Sequence, residues 1–151
     1  MSPATVFAQR HAITDVCVLC KDVEASVAFY VDKLGFKLRR RAEGFADFKG
    51  AGLTLALWEI GHISQHTGVS AKRATGGHNV AIAVELATPA EVDAAYDELT
   101  GRGVAFIGPP EDYVWNARCC YFEGPDGEVW ELYAWLSGGA IGDVEEVEAP
   151  A

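Results

Sequence analysis

The sequence predicts an α+β fold of two tandem βαβββ modules, whose strands form one curled mixed sheet around a cavity. Three observations support this fold class. The order strand, helix and three strands occurs twice along the chain. The two predicted helices end at equivalent glycines, Gly35 and Gly103, which lie about 68 positions apart. Hydrophobic residues make up 50% of the 151 positions, which is enough apolar material for one compact core.

We expect a single domain that divides into four segments. Module one covers about 11–60, a polar linker with several glycines about 61–77, module two about 78–135 and an acidic tail about 136–151. A single four-stranded module leaves one face of its sheet uncovered, and a second module can close that face into a shared cavity. This cavity is the expected binding site for a small molecule.

Module one begins with the β-branched segment ITDVCVL at 13–19. Asp22 follows as a helix N-cap, and apolar residues then recur at helical spacing as far as Leu34. Three short segments separated by glycines, FKLRRRAEG, FADFKG and LTLALWE, predict an antiparallel meander. The segment therefore has the order strand, helix and three strands.

Module two repeats this order. The segment NVAIAVEL at 79–86 predicts a strand, and residues 88–91 (TPAE) have the form of a capping box that begins a helix. The three strand candidates that follow are VAFIGPP, NARCCYFEG and GEVWELYAW, and the last two are joined by a turn at 124–127.

The composition excludes several classes of partner. The chain has 12 Lys and Arg against 22 Asp and Glu, a formal charge of −10 and a pI near 4.7. This charge opposes binding to nucleic acid and to anionic membranes. The N-terminal segment has no signal-peptide pattern, and the four cysteines are too few for a secreted disulfide framework. We expect a cytoplasmic protein with reduced thiols.

Two segments resemble the vicinal oxygen chelate superfamily, which contains glyoxalases, bleomycin resistance proteins and ring-cleaving dioxygenases. DVEASVAFYVDKLGFKL is similar to the first helix and turn of that superfamily, and FEGPDGEVWELY is similar to its final hairpin. The resemblance extends over roughly 13–135. It implies the glyoxalase and bleomycin-resistance fold, a small-molecule ligand and a homodimer.

The resemblance also implies four inward-facing positions that hold a divalent metal in the metal-dependent members. In this chain they are occupied by Asp15, Ala56, Asn79 and Glu131. Two carboxylates and an amide would suit a hard ion such as Mg²⁺ or Mn²⁺, but alanine cannot bind a metal. We therefore predict no built-in transition metal and no other cofactor.

Other histidines, acids and cysteines are weaker candidates for a metal site. A strand register shifted by one residue would turn His78 or Glu59 inward, but both are predicted to be surface residues at strand ends. His62 and His66 have an HxxxH spacing within a polar segment, which predicts solvated loop histidines. The cysteine pairs 17/20 and 119/120 point to opposite faces of their strands, so they are predicted to be structural.

The expected cavity combines aromatic and acidic side chains. This mixture suits a planar or cationic guest, because carboxylates pair with amines and aromatic faces bind rings and cations. The direction of Arg118 is open, and an inward guanidinium would reverse the preference for a cation. The predicted ligand-binding residues are Asp15, Trp58, Asn79, Trp115, Glu131 and Tyr133, and Tyr113 lies in the loop beside them.

These features fit two functions from different classes, a binding protein and an enzyme. The first is a binding protein without a metal, which sequesters a small aromatic or cationic molecule in the manner of bleomycin-resistance proteins. The alternative is a metal-dependent glyoxalase-like lyase or isomerase, or a ring-cleaving dioxygenase, that uses Asp15 and Glu131. In that alternative Glu131 is the best catalytic candidate, as a general base. A catalytically empty regulatory module is a third possibility.

Overall fold

The computed structural model describes residues 7–50, 52–73 and 80–139. Its helices are α1 (Phe7–Arg10), α2 (Val23–Ala28), α3 (Ile60–Thr67) and α4 (Pro89–Gly101), and α2 continues into a π-helical turn at Phe29–Lys33. Its strands are β1 (Asp15–Cys20), β2 (Lys37–Ala42), β3 (Phe45–Lys49), β4 (Thr54–Glu59), β5 (Ala81–Glu85), β6 (Glu111–Tyr113), β7 (Ala117–Glu123) and β8 (Val129–Trp135). No described helix has the length and apolar character that crossing a membrane requires.

The predicted α+β class and the two βαβββ modules are confirmed. The strand orders are β1-β4-β3-β2 in module one and β5-β8-β7-β6 in module two. In each module the first and last strands pair in parallel, and the other neighbours are antiparallel. The described strands form two four-stranded sheets that remain separate, where the sequence suggested one continuous sheet.

The predicted caps begin both module helices. The Asp22 carboxylate accepts hydrogen bonds from the backbone N–H groups of Glu24 and Ala25, at 3.0 and 3.3 Å, at the start of α2. The Thr88 hydroxyl accepts one from the Glu91 N–H at 3.2 Å at the start of α4. These bonds satisfy backbone donors that have no partner within the helix.

Tyr30 lies at the centre of one core shared by the two modules. Its ring is fully buried and contacts the rings of Phe48, from module one, and Trp130, from module two. Its hydroxyl donates to Glu128 at 2.9 Å and accepts from the Trp130 indole at 3.3 Å. The modules therefore pack through their helix-covered sides.

The turn at 124–127 connects module two to module one through hydrogen bonds and a salt bridge. The Asp126 carboxylate accepts from the backbone N–H of Lys21 at 2.7 Å and from the Ser26 hydroxyl at 3.2 Å. Arg73 forms a salt bridge with the same carboxylate at 3.3 Å. The GPDG motif thus connects the modules by charge-assisted hydrogen bonds, which are stronger than neutral ones.

The other sheet faces point away from this core, and we call them the open faces. Side-chain alternation and strand pairing assign their residues. The module-one open face includes Asp15, Cys17, Lys37, Arg40, Phe45, Asp47, Lys49, Ala56 and Trp58. The module-two open face includes Ala83, Glu85, Glu111, Tyr113, Cys119, Tyr121, Glu123, Glu131, Tyr133 and Trp135.

The segment assigned to the linker begins as a helix. α3 occupies Ile60–Thr67 and ends at Gly68, which has a φ of 82°. Glycine and polar residues obscured its helical pattern in the sequence, although Ile60 and Ile63 lie half-buried on it. Residues 74–79 and the predicted acidic tail from 140 onward lie outside the described chain.

Candidate functional site

Glu131 lies at the middle of the module-two open face. Its neighbours on β8, Trp130 and Leu132, are buried in the shared core, so the predicted alternation is confirmed. Directly across on β7, the Tyr121 hydroxyl donates to Glu131 Oε2 at 2.5 Å. Burial and this carboxylate raise the pKa of Tyr121, so the phenol keeps its proton.

A second pair of a tyrosine and a carboxylate lies on the same face, two residues further along β8. Tyr133 is the direct neighbour of Glu85 on β5, and its hydroxyl donates to Glu85 Oε1 at 3.2 Å. Burial raises the pKa of Tyr133, and the hydrogen bond to Glu85 adds to this effect. The ring of Trp135 meets that of Tyr133 edge to face at 5.5 Å. Sequence analysis missed Glu85 and Tyr121, because their roles depend on cross-strand register.

A stacked aromatic pair borders these carboxylates. The rings of Tyr113 and Trp115 lie 4.6 Å apart and are nearly parallel, at 12°. Asn116 holds the turn that presents them, with a φ of 63° and amide bonds to two backbone carbonyls in the segment after β8, the shorter at 2.6 Å. Asparagine tolerates this left-handed conformation better than most residues. Trp115 and Tyr113 are therefore fixed at the rim of the face.

Arg118 points away from the module-two open face. It donates to Asp93 on α4 at 2.8 Å and to Asp112 on β6 at 2.9 Å. These two carboxylates raise the pKa of the guanidinium. The strand residues assigned to this face include no lysine or arginine. Arg118 thus leaves the charge of Glu131 unneutralised.

A small cavity of about 210 Å³ opens beside the aromatic rim. The chain pairs with β7 at Phe106 and again from Glu111, but the GPP segment at 108–110 departs from the sheet between these points. Proline has no N–H to donate to a strand neighbour, which accounts for the gap. The cavity is lined by Ile107, Gly108, Pro109, Glu111, Tyr113, Cys120 and Tyr121.

Trp58 lies on the module-one open face and binds the first histidine of the HxxxH motif. Its indole donates to His62 Nδ1 at 2.9 Å, and the rings of His62 and His66 lie 4.4 Å apart. The prediction of loop histidines is wrong, because both lie on α3, where the i, i+4 spacing brings the rings together. His62 is half-buried and His66 is exposed.

Asp15 and Glu131 lie in different modules. Asp15 is exposed on β1, the edge strand of its sheet, and accepts a hydrogen bond from Thr14 at 2.5 Å. The hydrogen bond to Asp47 raises the pKa of Arg39, and the charge of Asp15 adds to this effect. Burial and the Asp15 charge raise the pKa of Cys17 to about 11. Asp15 contacts Thr14 and Glu131 contacts Tyr121, so each carboxylate has its hydrogen-bond partner within its own module of the described chain.

Of the four positions implied for a metal, one cannot supply a ligand and another lies outside the described residues. Ala56 presents a methyl group on the module-one open face, and Asn79, like His78, lies outside the described residues. Glu59 points to the other face of β4 and accepts from the Val23 N–H at 2.9 Å. The part of the chain that is described holds no group of three potential metal ligands.

The four cysteines are free thiols on alternate faces of their strands. Cys17 lies on the module-one open face, and Cys20, at the end of the same strand, is buried in the core. Cys119 is buried on the module-two open face, where its thiol contacts Trp115, Tyr121 and Glu131, and Cys120 belongs to the core. The predicted alternation of each pair is thus observed, and no thiol is paired with another.

Residues 12–132 match the family description Glyoxalase/Bleomycin resistance protein/Dioxygenase superfamily. The chain belongs to this family. The match covers both modules, from the segment before β1 to the middle of β8. It agrees with the resemblance of the two sequence segments and with the two βαβββ modules.

Several solved and curated proteins are similar to the chain. A glyoxalase/bleomycin resistance protein/dioxygenase from Nocardioides is 50% identical, with a TM-score of 0.86 over 94% of this chain and 95% of that one. YraH of Bacillus subtilis is 26% identical over 127 residues, which are 82% of this chain and 98% of YraH. Lactoylglutathione lyase from Agrobacterium tumefaciens, at 20% identity and a TM-score of 0.66 over 82% of this chain and 92% of that one, shows the shared fold alone.

Proposed function

We propose that this family member binds a small aromatic or cationic molecule on the module-two open face, without a built-in transition metal. In this it would act like a binding protein of the bleomycin-resistance type. One observation carries the proposal: two carboxylates, Glu131 and Glu85, are held by tyrosine hydroxyls on an aromatic face from which Arg118 turns away. We propose a cytoplasmic location, where the four thiols stay reduced.

The charge of this face favours a cation over an anion. Glu85, Glu111 and Glu131 lie on its strands, and the described strand residues of this face include no lysine or arginine. A ligand anion placed here would be repelled, and it would lose hydration without gaining a partner. An amine would pair with Glu131 and offset its own desolvation.

The aromatic side chains supply the apolar part of the binding surface. A planar ring of the ligand can stack on the pair of Tyr113 and Trp115. Tyr133 and Trp135 offer two further ring faces. A cation over such a ring gains about 0.5–2 kcal/mol, depending on how far it is desolvated. The cavity beside Glu111 has room for a small substituent of the ligand.

We also propose that two copies of the chain associate. β1 and β5 are the edge strands of their sheets, so their outer backbone groups have no strand neighbour in the described chain. Exposed apolar side chains lie beside these edges: Ile13 before β1, Val80 before β5 and Val84 on β5. Unprotected edges of this kind favour pairing with another chain. Sedimentation of the purified protein should give twice the chain mass, and a monomer at all concentrations would contradict this proposal.

A catalytic role for Glu131 is the second candidate. The Tyr121 hydroxyl at 2.5 Å favours it, because this hydrogen bond fixes the direction in which Glu131 would act as a general base towards a bound molecule. A metal held jointly with Asp15 would require a second copy of the chain, since the two residues lie in different modules. Turnover of a bound compound, followed by NMR, separates an enzyme from a binding protein.

A titration with matched ligands tests the proposed function. Phenethylamine and phenylacetate have the same aromatic ring and opposite charges, and the change in tryptophan fluorescence reports binding through Trp115. We expect saturable binding of the amine and at least about tenfold weaker binding of the carboxylate. Tighter binding of the carboxylate would contradict the proposal.

A further inference from the structure

We infer that the module-one open face holds a second site, which binds the oxyanion of a small molecule through Arg39 and Arg40. This inference is independent of the proposed function, because it concerns the other module and the opposite ligand charge. It rests on the ionic cluster around Asp47 and on a lysine pair beside that cluster.

A β-bulge brings two consecutive arginines to one carboxylate. Leu38 pairs with Phe48 and Arg40 with Asp47, so Arg39 is one extra residue in β2. Successive strand residues ordinarily point to opposite faces, and a bulge changes this direction. Here it allows both Arg39 and Arg40 to reach Asp47.

Asp47 fixes both guanidinium groups from a fully buried position. Arg39 donates to its two oxygens through Nε at 3.1 Å and Nη2 at 2.8 Å. Arg40 donates to Oδ2 through Nε at 2.8 Å and Nη2 at 2.6 Å, and its backbone N–H binds Oδ1 at 3.0 Å. Each arginine keeps its Nη1 outside these bonds, and their side chains are 36% and 65% exposed. The cluster carries two positive charges and one negative charge, and Asp15 on the same open face adds a second negative charge that acts on Arg39.

Stability alone does not explain a buried ionic cluster at this position. A buried ion pair often contributes no more stability than apolar residues of similar volume would, because its desolvation offsets the attraction. An apolar side chain at 47 would pack beside Ala56 and would need no arginine. What the buried carboxylate does provide is two guanidinium groups with fixed orientation, a geometry suited to oxyanions.

A lysine pair next to the cluster also indicates an anion. Lys37 and Lys49 are direct cross-strand neighbours on the same open face, and Lys49 lies two residues from Asp47. Like charges directly opposite each other destabilise a sheet. Neither lysine has a carboxylate partner within the described chain, so a bound oxyanion would relieve their repulsion. Four basic residues thus gather on one face of a protein whose formal charge is −10.

NMR of the arginine Nε–H groups in the intact protein tests this site. The Nε–H groups of Arg39 and Arg40 both donate to Asp47, which should slow their exchange and give separate signals. Inorganic phosphate and benzoate are the two probes, with chloride at equal ionic strength as the control. If the Nε–H chemical shifts saturate with phosphate alone, the site binds phosphate groups. If they saturate with benzoate alone, it binds carboxylates. Chemical shifts that change linearly with the concentration of both probes, without saturation, would overturn the inference.

Variants on the same strand sharpen the test. Arg40→Gln should weaken binding at least about tenfold, because it removes a charged hydrogen-bonding partner. Arg41→Gln is the matched control, since Arg41 pairs with Glu24 on the helix-covered side, and it should leave binding unchanged. Lys49→Gln preserves the Asp47 cluster and should weaken binding about two- to fivefold. Equal losses in the Arg40 and Arg41 variants, or signals that change only on protein dilution, would contradict the site.

Discussion

The Tyr121 hydroxyl lies 2.5 Å from Glu131 Oε2, and the two residues are direct cross-strand neighbours on the module-two open face. A tyrosine held on a carboxylate in this way acts as a neutral donor, because burial and the carboxylate raise its pKa. The same hydrogen bond fixes the direction of the carboxylate on the open face. The predictions below test this pair, its surroundings and the ligand that it would bind.

The first prediction concerns the coupling of this pair. Tyr121→Phe removes the donor and should lower the free energy of unfolding by about 1–2 kcal/mol, because a half-buried carboxylate loses a partner. In a double-mutant cycle with Glu131→Gln, the coupling should be at least about 0.5 kcal/mol by urea unfolding. Strictly additive effects would mean that the hydroxyl and the carboxylate do not interact.

The second prediction concerns Arg118, which connects α4 to β6 through Asp93 and Asp112. Arg118→Gln should lower the free energy of unfolding by about 0.5–1.5 kcal/mol, since both ion pairs are partly exposed. It should change the affinity for phenethylamine and for phenylacetate by less than about twofold. Tighter amine binding together with lost carboxylate binding would show that the guanidinium faces the ligand.

The third prediction concerns the aromatic rim. Trp115→Ala should weaken binding of an aromatic amine by about 1–2 kcal/mol, which calorimetry would measure as roughly a five- to thirtyfold loss. Trp115 is 39% exposed, so the fold should lose little stability. Trp58→Phe is the control in the other module and should leave the affinity unchanged. An equal effect at Trp58 would contradict a site confined to module two.

The fourth prediction concerns alkaline stability. Burial raises the pKa of both Cys20 and Cys120 to about 12, whereas an unfolded thiol ionises near about 8.5. Above that pH the unfolded chain releases protons that the folded chain retains, so stability present at neutral pH is lost as the pH rises toward 12. Urea unfolding at about pH 8, 9 and 10 should show this decline, and Cys120→Ala should make it shallower. A stability independent of pH in this range would contradict it.

The sequence predicted the features that depend on local periodicity. The order of elements follows from the spacing of apolar residues and from the caps at Asp22 and Thr88. Alternation of side chains along β4 correctly placed Trp58 and Glu59 on opposite faces of that strand. Alternation along β8 did the same for Glu131 and Trp130. These features need only the geometry of one strand or one helix.

Features that depend on packing between segments could not be predicted. The directions of Arg118 and Arg39 are set by partners on other elements and by a bulge that the sequence does not reveal. The placement of Asp15 and Glu131 on two different open faces follows from how the modules dock, and the buried hydrogen bonds of Tyr30 are among the contacts that join them. Helix α3 was missed because Gly61, the Gly68 cap and the polar residues between them resemble a loop.

The central claim is that Glu131 gives the module-two open face its preference for a cation. The most direct test titrates phenethylamine into the unmodified protein and into the variant Glu131→Gln. The control is Glu98→Gln, which makes the same change of charge on the exposed surface of α4. We expect at least about tenfold weaker binding for Glu131→Gln and no change for Glu98→Gln. Equal affinity of all three proteins for the amine would contradict the account.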